Sequence, residues 1–351
     1  MKELIRKLSE NGFEAYIVGG YVRDYLLGIS STDIDICTNA TVEQMDKIFE
    51  GIGKKDPTYF AYHIKDGEYS YDITTYRKEL EYKKNKPVKM EIAPDLGTDL
   101  LRRDFTINTF AIDSNGLFVD ILGAKKDLNG RLIRVVGDTE KKLQEDKTRI
   151  IRAIRFACTL DFDLDPPIIE FFSTKRSHLL NEVPKEYKKK ELDKIFDSSG
   201  AYKFFYLMRR YGMSKFFNIE FDMVNTNVYN RYGIWAQLET TLPLSKKEQS
   251  IIGDIRTILN NKDIHFSDMY LYQDDVLYNA AYILGLQKKV RTFKEVMSLK
   301  SIIDIEVDPN TFFKYVKTED IPKVYRLVER NIMEGYLSND PISIEAFIKS
   351  L

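Results

Sequence analysis

Cysteine and histidine are scarce in this sequence. Its 351 residues include two cysteines, Cys37 and Cys158, and three histidines. Two cysteines cannot by themselves form a disulfide framework or a zinc site. We therefore expect the protein to work in a reducing compartment, the cytoplasm.

Long apolar runs are also absent. No stretch approaches the roughly 20 apolar residues that a membrane-spanning helix needs. The first ten residues are charged and amphipathic, unlike a secretory signal. We therefore expect no membrane association. Hydrophobic residues still make up 43% of the chain, which allows a substantial core, and the length suits two or three domains.

The sequence has no excess of positive charge. Its formal net charge is −1, which is not the footprint of a general nucleic-acid binder. Because 30% of the residues are charged, a basic face can coexist with an acidic one. Candidate basic stretches lie at 77–89, 185–190 and 288–294, and a solvated helix face would explain each of them about as well.

Two carboxylates near the start of the chain form the first candidate site. The pattern over 33–37 predicts a strand. Since alternate side chains of a strand share a face, Asp33 and Asp35 would point the same way. Such a pair repels itself unless cations hold it, and Mg²⁺ is the hard ion that suits carboxylate oxygens. Asp-x-Asp is also common on solvated loops, so the pattern needs support from its surroundings.

A glycine pair supplies that support. Gly19 and Gly20 follow a predicted strand over 14–18 and precede a short predicted helix over 21–27. A turn without side chains lets backbone N–H groups approach a phosphate closely. Metal-binding carboxylates beside a phosphate site suggest phosphoryl or nucleotidyl transfer.

The remainder of the first 136 residues predicts a small mixed sheet. Segments 61–65 and 69–75 indicate a hairpin around Asp66-Gly67. The lysine-rich, aperiodic segment 77–94 is predicted to be a mobile loop. After Gly137 the pattern becomes helical and largely stays so. The chain is therefore predicted to be α+β, with a mixed-sheet head followed by helices.

Two further polar motifs carry guanidinium groups. The run 101–108 contains Arg103, and a guanidinium fork holds phosphate or ribose oxygens at two points. Standing alone, that run could form a surface ion pair, whereas its context favours a functional role. In the segment 145–155, Asp146 and Arg149 are predicted to share a helix face at i, i+3. Arginines on a buried helix need phosphates or carboxylates to meet.

These motifs together resemble one family. The runs 18–28 and 33–38 resemble the first motif of class II tRNA nucleotidyltransferases. These are the bacterial-type CCA-adding enzymes of the polymerase-β nucleotidyltransferase superfamily, to which bacterial poly(A) polymerases also belong. The run 101–108 resembles the second motif nearly letter for letter, and the flanks of Asp146 and Arg149 match as well.

The resemblance implies a domain organisation and a set of substrates. It implies a catalytic nucleotidyltransferase head at 1–137, a helical neck with base recognition at 138–200, and a helical body and tail that bind tRNA at 201–351. The neck motif is altered at Pro184 and Tyr187, and past residue 200 the resemblance is only architectural. The implied partners are the tRNA 3′ end, CTP and ATP, whereas the sequence does not indicate an oligomeric state.

The resemblance also implies a role for each matching residue. Asp33 and Asp35 would bind two Mg²⁺ ions, with Asp72 as a third catalytic acid at a position where the family usually has Glu. A plain strand-end carboxylate explains Asp72 equally well. The residues implied to bind the incoming nucleotide are Gly19, Gly20, Arg23, Arg103, Asp104, Asn108, Asp146, Arg149, Arg152 and Arg155.

The base can be chosen by Asp146 and Arg149 on simple hydrogen-bonding grounds. Cytosine and adenine each present an N–H donor beside a ring-nitrogen acceptor, which a carboxylate beside a guanidinium matches. Uracil and guanine present the reverse order and would leave buried polar groups unpaired, at about 1–3 kcal/mol each. An ordinary Asp–Arg pair on a helix surface is the alternative, worth about 0.2–0.5 kcal/mol.

The sequence therefore predicts template-independent addition of C, C and A to tRNA. The near full-length segment 77–90 resembles the family's flexible loop, which helps the switch from C to A addition and tends to be shorter in CC-adding relatives. A CC-adding or A-adding enzyme and a poly(A) polymerase stay open as alternatives. A catalytically silent RNA-binding relative, or a nucleotidyltransferase acting on small molecules or proteins, would represent other classes.

Overall fold

The computed structural model describes residues 2–173, 176–296 and 304–351. The chain divides into two compact units, Met1–Asn218 and Ile219–Leu351. Among the described residues, no helix is both long enough and apolar enough to cross a lipid bilayer. The predicted boundaries of head, neck and body at 137 and 200 stay a prediction.

The first unit is built on a mixed seven-stranded sheet with the order β3-β4-β5-β2-β1-β8-β9. Its strands are β1 Ala15–Val18, β2 Asp33–Thr38, β3 Gly53–Asp56, β4 Ala61–Asp66, β5 Tyr69–Thr75, β8 Ala111–Ile112 and β9 Phe118–Val119. Two further pairs stand outside it: β6 Arg77–Lys83 with β7 Lys86–Ile92, and β10 Leu132–Ile133 with β11 Asp163–Leu164.

Helices surround this sheet and then continue the chain. They are α1 Lys2–Glu10, α2 Gly20–Leu26, α3 Val42–Ile48, α4 Leu96–Leu101, α5 Ala124–Asn129, α6 Thr139–Glu145, α7 Thr148–Thr159, α8 Pro166–Ser173, α9 Lys185–Phe196 and α10 Ala201–Tyr211. Short 3₁₀ turns lie at Pro57–Tyr59, Thr106–Asn108, Arg176–Glu182 and Ser214–Phe217. Local signals fix several starts, such as the capping box of Thr41 and Gln44 before α3.

The second unit is mainly helical. Its helices are α11 Arg231–Ala236, α12 Lys246–Asn261, α13 Asp268–Leu271, α14 Asp274–Leu284, α15 Gln287–Val296, α16 Asn310–Tyr315, α17 Ile321–Met333 and α18 Pro341–Ser350. One short antiparallel pair, β12 Ile219–Glu220 with β13 Glu239–Thr240, departs from the predicted all-helical character. The α+β class, with a mixed-sheet head followed by helices, is confirmed.

The central strand β2 lies between β1, which is antiparallel to it, and β5, which is parallel to it. On the face of β2 that carries Asp33 and Asp35, the next residue is Cys37, which is buried in a small apolar core with Val18 and Leu100. Asp33 and Asp35 themselves are exposed, whereas Ile34 and Ile36 are buried in the opposite face. The predicted alternation of the strand is therefore confirmed.

The prediction of a mobile loop over 77–94 is wrong. This segment forms the antiparallel hairpin β6–β7. Lys84 and Asn85 make the turn, each with a positive φ (52° and 64°), as the tight hairpin turns that match strand twist require. The lysines hid the strand pattern, because both faces of this hairpin carry charged residues.

Candidate active site

Asp33 and Asp35 lie side by side on one face of β2, with their side chains open to solvent. Among the described residues, neither carboxylate is engaged in a hydrogen bond or an ion pair. The close surroundings of Asp35 raise its pKa by desolvation, an effect that the positive charge of Arg103 partly offsets. Two unpartnered carboxylates on one face offer the hard oxygen ligands that a divalent cation prefers.

The turn between β1 and α2 approaches this pair so closely that only glycine fits. Gly19 has a φ of +78°, and a Cβ atom there would lie 2.7 Å from Asp35 Oδ2 and 3.0 Å from Arg103 Nη1. At Gly20 the nearest group is the Arg23 guanidinium, 3.6 Å from an added Cβ. The structure thus brings together Gly19, Asp35 and Arg103 from three separate sequence motifs.

Asp72 lies directly beside Asp35 in the parallel register of β2 and β5. Its other neighbour across the sheet is His63 of β4, whose Nδ1 lies 2.6 Å from Asp72 Oδ1. Within the described ranges, no group of three or more His, Cys, Asp or Glu side chains is arranged to hold a metal ion. Asp72 is therefore adjacent to the pair but held by a histidine that sequence reasoning missed. The hairpin register of β4 and β5 would have pointed to that histidine.

One donor of Arg103 is unused in the part of the chain that the structure describes. Its Nη2 lies 3.5 Å from the buried carboxylate of Asp99, which also binds Arg102 Nε at 2.9 Å. Arg103 Nε is buried and has no hydrogen-bond partner among the described residues. A buried guanidinium donor without a partner is costly, so this atom indicates where an anionic ligand would bind.

A second network joins the head to α7. Arg23 Nη1 donates to Asn108 Oδ1 at 2.5 Å, and Asn108 Nδ2 donates to Asp104 Oδ1 at 2.9 Å. Arg152 Nε of α7 donates to Asp104 Oδ2 at 2.8 Å. Although burial alone would raise the pKa of Asp104, Arg152 and the hydrogen bonds from Asn108 and the Phe105 N–H hold it below its ordinary value.

Three arginines, one from α2 and two from α7, are packed around one aromatic ring of α7. The guanidinium carbons of Arg23, Arg152 and Arg155 lie 4.7, 5.6 and 3.7 Å from the centre of the Phe156 ring. Arg155 Nε also pairs with the buried carboxylate of Glu191 on α9 at 2.5 Å. In this structure these arginines meet protein carboxylates and an aromatic face, which makes them parts of a framework.

The predicted base-reading pair lies at a break between two helices. The prediction that Asp146 and Arg149 share a helix face is wrong, because α6 ends at Glu145 and Asp146 has an extended backbone. Its Oδ1 accepts hydrogen bonds from the Thr148 backbone N–H at 2.9 Å and from the Thr148 hydroxyl at 2.6 Å. Its Oδ2 lies 3.9 Å from Arg149 Nε. The two side chains are still neighbours, and Asp146 also caps the start of α7.

Arg149 is held by the hairpin. Its Nη2 donates to the Tyr82 hydroxyl at 2.8 Å, and its Nη1 donates to the Lys142 carbonyl at 2.8 Å. The guanidinium carbon lies 5.3 Å from the centre of the Tyr82 ring. Tyr82 in turn donates its hydroxyl proton to Glu79. Sequence reasoning missed Tyr82 because its segment was interpreted as a mobile loop.

The tip of the hairpin contacts the start of α7. Asn85 Oδ1 accepts a hydrogen bond from the Lys147 backbone N–H at 3.0 Å, and Asn85 Nδ2 donates to the Glu182 carbonyl at 3.1 Å. Lys147 Nζ pairs with the Glu182 carboxylate at 3.2 Å. The hairpin therefore contacts Arg149 through Tyr82, and it contacts Lys147 and Glu182 through Asn85.

The chain is similar to one known protein family and to several enzymes. Residues 15–134 match the family described as the Poly A polymerase head domain. A CCA-adding enzyme of Bacillus pumilus is 42% identical over 55% of this chain, an alignment that spans 48% of that relative. A CCA-adding enzyme of Lactococcus lactis subsp. lactis is 29% identical over 100% of this chain and 96% of its own length.

A solved structure shares the fold over the same extent. The crystal structure of the Bacillus stearothermophilus CCA-adding enzyme in complex with CTP matches 99% of this chain and 96% of its own, with a TM-score of 0.83 and 22% identity. At that identity the likeness concerns the fold. The two full-length matches agree that the relatives' architecture extends through both compact units.

Proposed function

We propose that this chain is a member of the class II CCA-adding enzyme family and adds C, C and A to the 3′ end of tRNA from CTP and ATP, releasing pyrophosphate, because it is similar to a Poly A polymerase head domain and to CCA-adding enzymes. One observation supports the proposal: a series of neighbouring charged and polar side chains leads from the carboxylates to the predicted base-reading pair. Asp35 lies beside Arg103, and Arg103 and Arg102 share Asp99. Arg102 Nη1 then lies 3.6 Å from Glu79, which accepts from Tyr82, the residue that holds Arg149.

The carboxylate pair fits divalent metal ions. Members of this enzyme family generally use a divalent metal, and we propose Mg²⁺ bound by Asp33 and Asp35. Mg²⁺ commonly binds through one or two carboxylates together with substrate phosphates and waters, so two unpartnered carboxylates in this chain suffice. Bound there, two ions would favour the ionised RNA 3′ hydroxyl and stabilise the charge on the leaving pyrophosphate.

The residues around the pair orient the triphosphate. We propose that the backbone at Gly19 and Gly20 and the Arg103 guanidinium contact its oxygens, because Gly19 lies beside both Asp35 and Arg103 and the buried Arg103 Nε lacks a hydrogen-bond partner among the described residues. Direct contact of Arg23, Asp104, Asn108, Arg152 and Arg155 with the nucleotide stays a prediction. In the structure these five side chains bind one another or α9 and so position α7.

Asp146 and Arg149 then select the base. A carboxylate acceptor next to a guanidinium donor matches the pairing edges of cytosine and adenine and opposes those of uracil and guanine. Thr148 holds Asp146 and Tyr82 holds Arg149, so neither side chain needs to be ordered when the nucleotide arrives. Such preorganisation lowers the cost of binding the correct base.

The proposal is tested with tRNA transcripts that end before CCA, before CA and before A. Each transcript is incubated with one labelled nucleotide at a time. We expect CTP to be added to the first, and ATP once to the last. Addition of CTP alone would identify a CC-adding enzyme, ATP on the last transcript alone an A-adding enzyme, and long runs of ATP a poly(A) polymerase.

Asp35→Ala serves as the catalytic control in that assay. We expect incorporation to fall about 1,000-fold, on the order of 4 kcal/mol of lost transition-state stabilisation, with tRNA binding nearly unchanged. The matched variant Asp66→Ala removes an exposed carboxylate from the β4–β5 turn and should keep full activity. Activity that survives Asp35→Ala would disprove the metal assignment.

We also propose that the reaction takes place in the cytoplasm. Both cysteines are free thiols buried in the protein, which is compatible with a reducing compartment. Fractionation of the source cells followed by the tRNA assay would test this location, and activity confined to another compartment would contradict it.

A further inference from the structure

The solvent face of α10 combines exposed aromatic rings with positive charge. Tyr202 and Tyr206 are 56% and 55% exposed and lie one helical turn apart. Arg209 and Arg210 follow in the last turn, and the helix contains no acidic residue. Exposed tyrosines beside arginines are unusual on a helix whose other face is buried in the core, so this face is a candidate ligand-binding surface.

A cleft lies at the C-terminal end of the same helix. Its volume is about 730 Å³, and it is lined by Phe172, Ser173, Arg210, Tyr211, Gly212, Lys215 and Phe216. All of these residues lie in the described part of the chain, and none of them carries a carboxylate. Two cations, two hydroxyls and three aromatic rings therefore share a concave surface large enough for a nucleotide.

Arg210 is oriented by tyrosines and not by an acid. Its Nη1 lies 2.9 Å from the Tyr206 hydroxyl, and its guanidinium carbon lies 5.9 and 5.8 Å from the centres of the Tyr206 and Tyr211 rings. No carboxylate among the described residues pairs with it. Since a guanidinium has five N–H donors, most of them remain available to an anion.

Lys215 adds a second charge to this cleft. The residue is exposed, and its Nζ lies 4.9 Å from the centre of the Phe216 ring. Cations in the last turn of a helix also offset its dipole, but that role requires neither a cleft nor two exposed tyrosines. Charge of one sign interleaved with aromatic faces matches a chain of phosphates and unpaired bases.

We propose that this α10 surface, defined as Tyr206, Arg210, Lys215 and Phe216, binds the RNA substrate outside the catalytic centre. Tyr202 is not part of it, because its hydroxyl lies 3.4 Å from the Asp161 carboxylate. Arg210 and Lys215 contact phosphates, and Tyr206 stacks on a base. The inference rests on the proposed function for the identity of the RNA. It adds a contact surface in the first compact unit, whereas the sequence placed tRNA binding after residue 200 without naming a residue.

The test measures binding of a labelled tRNA transcript that lacks CCA to the full-length protein by fluorescence anisotropy over a range of salt. For the double variant Arg210→Ala and Lys215→Ala we expect an affinity about tenfold weaker and a salt slope lower by roughly 1 to 2, since two phosphate contacts are lost. Tyr206→Leu should weaken binding about 5- to 100-fold. Tyr206→Phe keeps the stacking ring and loses only the hydroxyl that meets Arg210, so it should weaken binding less than Tyr206→Leu.

Matched variants make the result specific. Arg6→Ala with Lys7→Ala removes two exposed charges from α1 of the same unit and should leave binding unchanged. The value of KM for CTP should be unaltered in all variants, because none of these residues lies among the proposed nucleotide contacts. Tyr206 is exposed, so its replacement should not disturb folding, which thermal unfolding would verify.

Equal affinity and equal salt slope for the α10 and α1 variants would overturn the inference. A change in sedimentation of the α10 variants with unchanged RNA affinity would also overturn it and would assign the surface to contacts between copies of the chain. Anisotropy does not require catalysis, so failure of the wild-type protein to add nucleotides would disprove the proposed function separately.

Discussion

Individual residues of the site owe their roles to partners that are distant in sequence. Arg23, Arg152 and Arg155 find Asn108, Asp104 and Glu191 respectively. The two carboxylates neutralise guanidinium groups that would otherwise be costly to bury, whereas the Asn108 amide gives Arg23 a hydrogen bond and leaves its charge to the adjacent Asp24. Arg103 differs, since its Nε has no such partner among the described residues. The chemistry of a residue type was visible in the sequence, but the division between structural and ligand-binding arginines was not.

The first prediction concerns Gly19. Gly19→Ala should reduce nucleotide incorporation at least tenfold, because the new Cβ would lie 2.7 Å from Asp35 Oδ2 and the backbone has a φ of +78°. Left-handed strain in a non-glycine residue costs on the order of 1 kcal/mol, which lowers the Tm by about 2–4 °C in a unit of this size. Gly116→Ala, at a φ of +83° with open space around it, is the control. Equal activity of the two variants would show that contact with Asp35 does not matter.

The second prediction concerns Asp104. Its pKa is lowered in the folded protein, so its charge stabilises the fold above the ordinary aspartate pKa of about 3.9. This contribution is lost as the pH falls through that value towards the folded pKa. Asp104→Asn should therefore lower the free energy of unfolding at pH 7 by about 3 kcal/mol, because Arg152 loses its charged partner, and the Tm should fall with it. The difference from wild type should shrink below about pH 4.

Thermal unfolding followed from pH 7 to pH 3 measures both effects of Asp104→Asn. The control is Asp66→Asn, since Asp66 is exposed in the β4–β5 turn and its replacement should change little at either pH. A difference between wild type and Asp104→Asn that stays constant over this range would rule out the ionic origin of the stabilisation.

At the scale of elements, the hairpin β6–β7 is the part that most changes the interpretation of the site. An irregular loop would only connect β5 to α4. The hairpin instead places Tyr82 in contact with Arg149 and Asn85 in contact with the start of α7. The break between α6 and α7 has a similar effect. It lets one carboxylate, that of Asp146, cap a helix and face Arg149 at the same time.

The third prediction tests the hairpin contact. Tyr82→Phe keeps the ring against Arg149 but removes the hydroxyl that accepts from Arg149 and donates to Glu79. A hydrogen bond to a charged group contributes about 1.5–3 kcal/mol, part of which the remaining Lys142 carbonyl contact retains. We expect the preference for CTP over UTP to fall about tenfold, measured as the ratio of kcat/KM values.

Tyr69→Phe provides the comparison for that change. Tyr69 is a half-exposed tyrosine of β5 whose ring packs near Tyr71, away from Arg149. Its variant should keep the wild-type preference for CTP. If Tyr82→Phe also keeps that preference, the hairpin hydroxyl does not orient Arg149 for base selection.

For the whole molecule, the two compact units divide the proposed work. Every residue assigned to metal, triphosphate or base lies within Met1–Asn218. The second unit has an apolar core of its own, which includes Ile305, Val328 and Ile344. Separate cores are the usual mark of units that can fold independently.

The fourth prediction follows from this division. A chain that ends after Asn218 should bind CTP with a dissociation constant within about twofold of the full-length value, because no proposed nucleotide contact is removed. A loss of even one such contact, worth about 1.4 kcal/mol, would change the constant tenfold. Its affinity for tRNA should fall, because the family resemblance places body and tail contacts in the missing part. Calorimetry with CTP and anisotropy with tRNA check the two statements. Loss of CTP binding in a truncated chain that retains a cooperative unfolding transition would contradict the division.

The sequence alone determined the parts of the fold and site that depend on local patterns. Alternation in β2 put Asp33 and Asp35 on one face, and the glycine pair located the turn beside them. The motifs around Arg103 and Arg149 were sufficient to indicate the family. Strand alternation, glycine conformation and helix capping act within a few residues, so they can be recognised without the fold.

The tertiary structure decided which residues meet. It placed His63 on Asp72, Tyr82 on Arg149 and Gly19 within contact distance of both Asp35 and Arg103. It also turned the segment 77–94 into a hairpin and moved Asp146 out of the helix. These outcomes depend on pairing and packing between segments tens of residues apart, where the gain from burial and hydrogen bonds outweighs local preference.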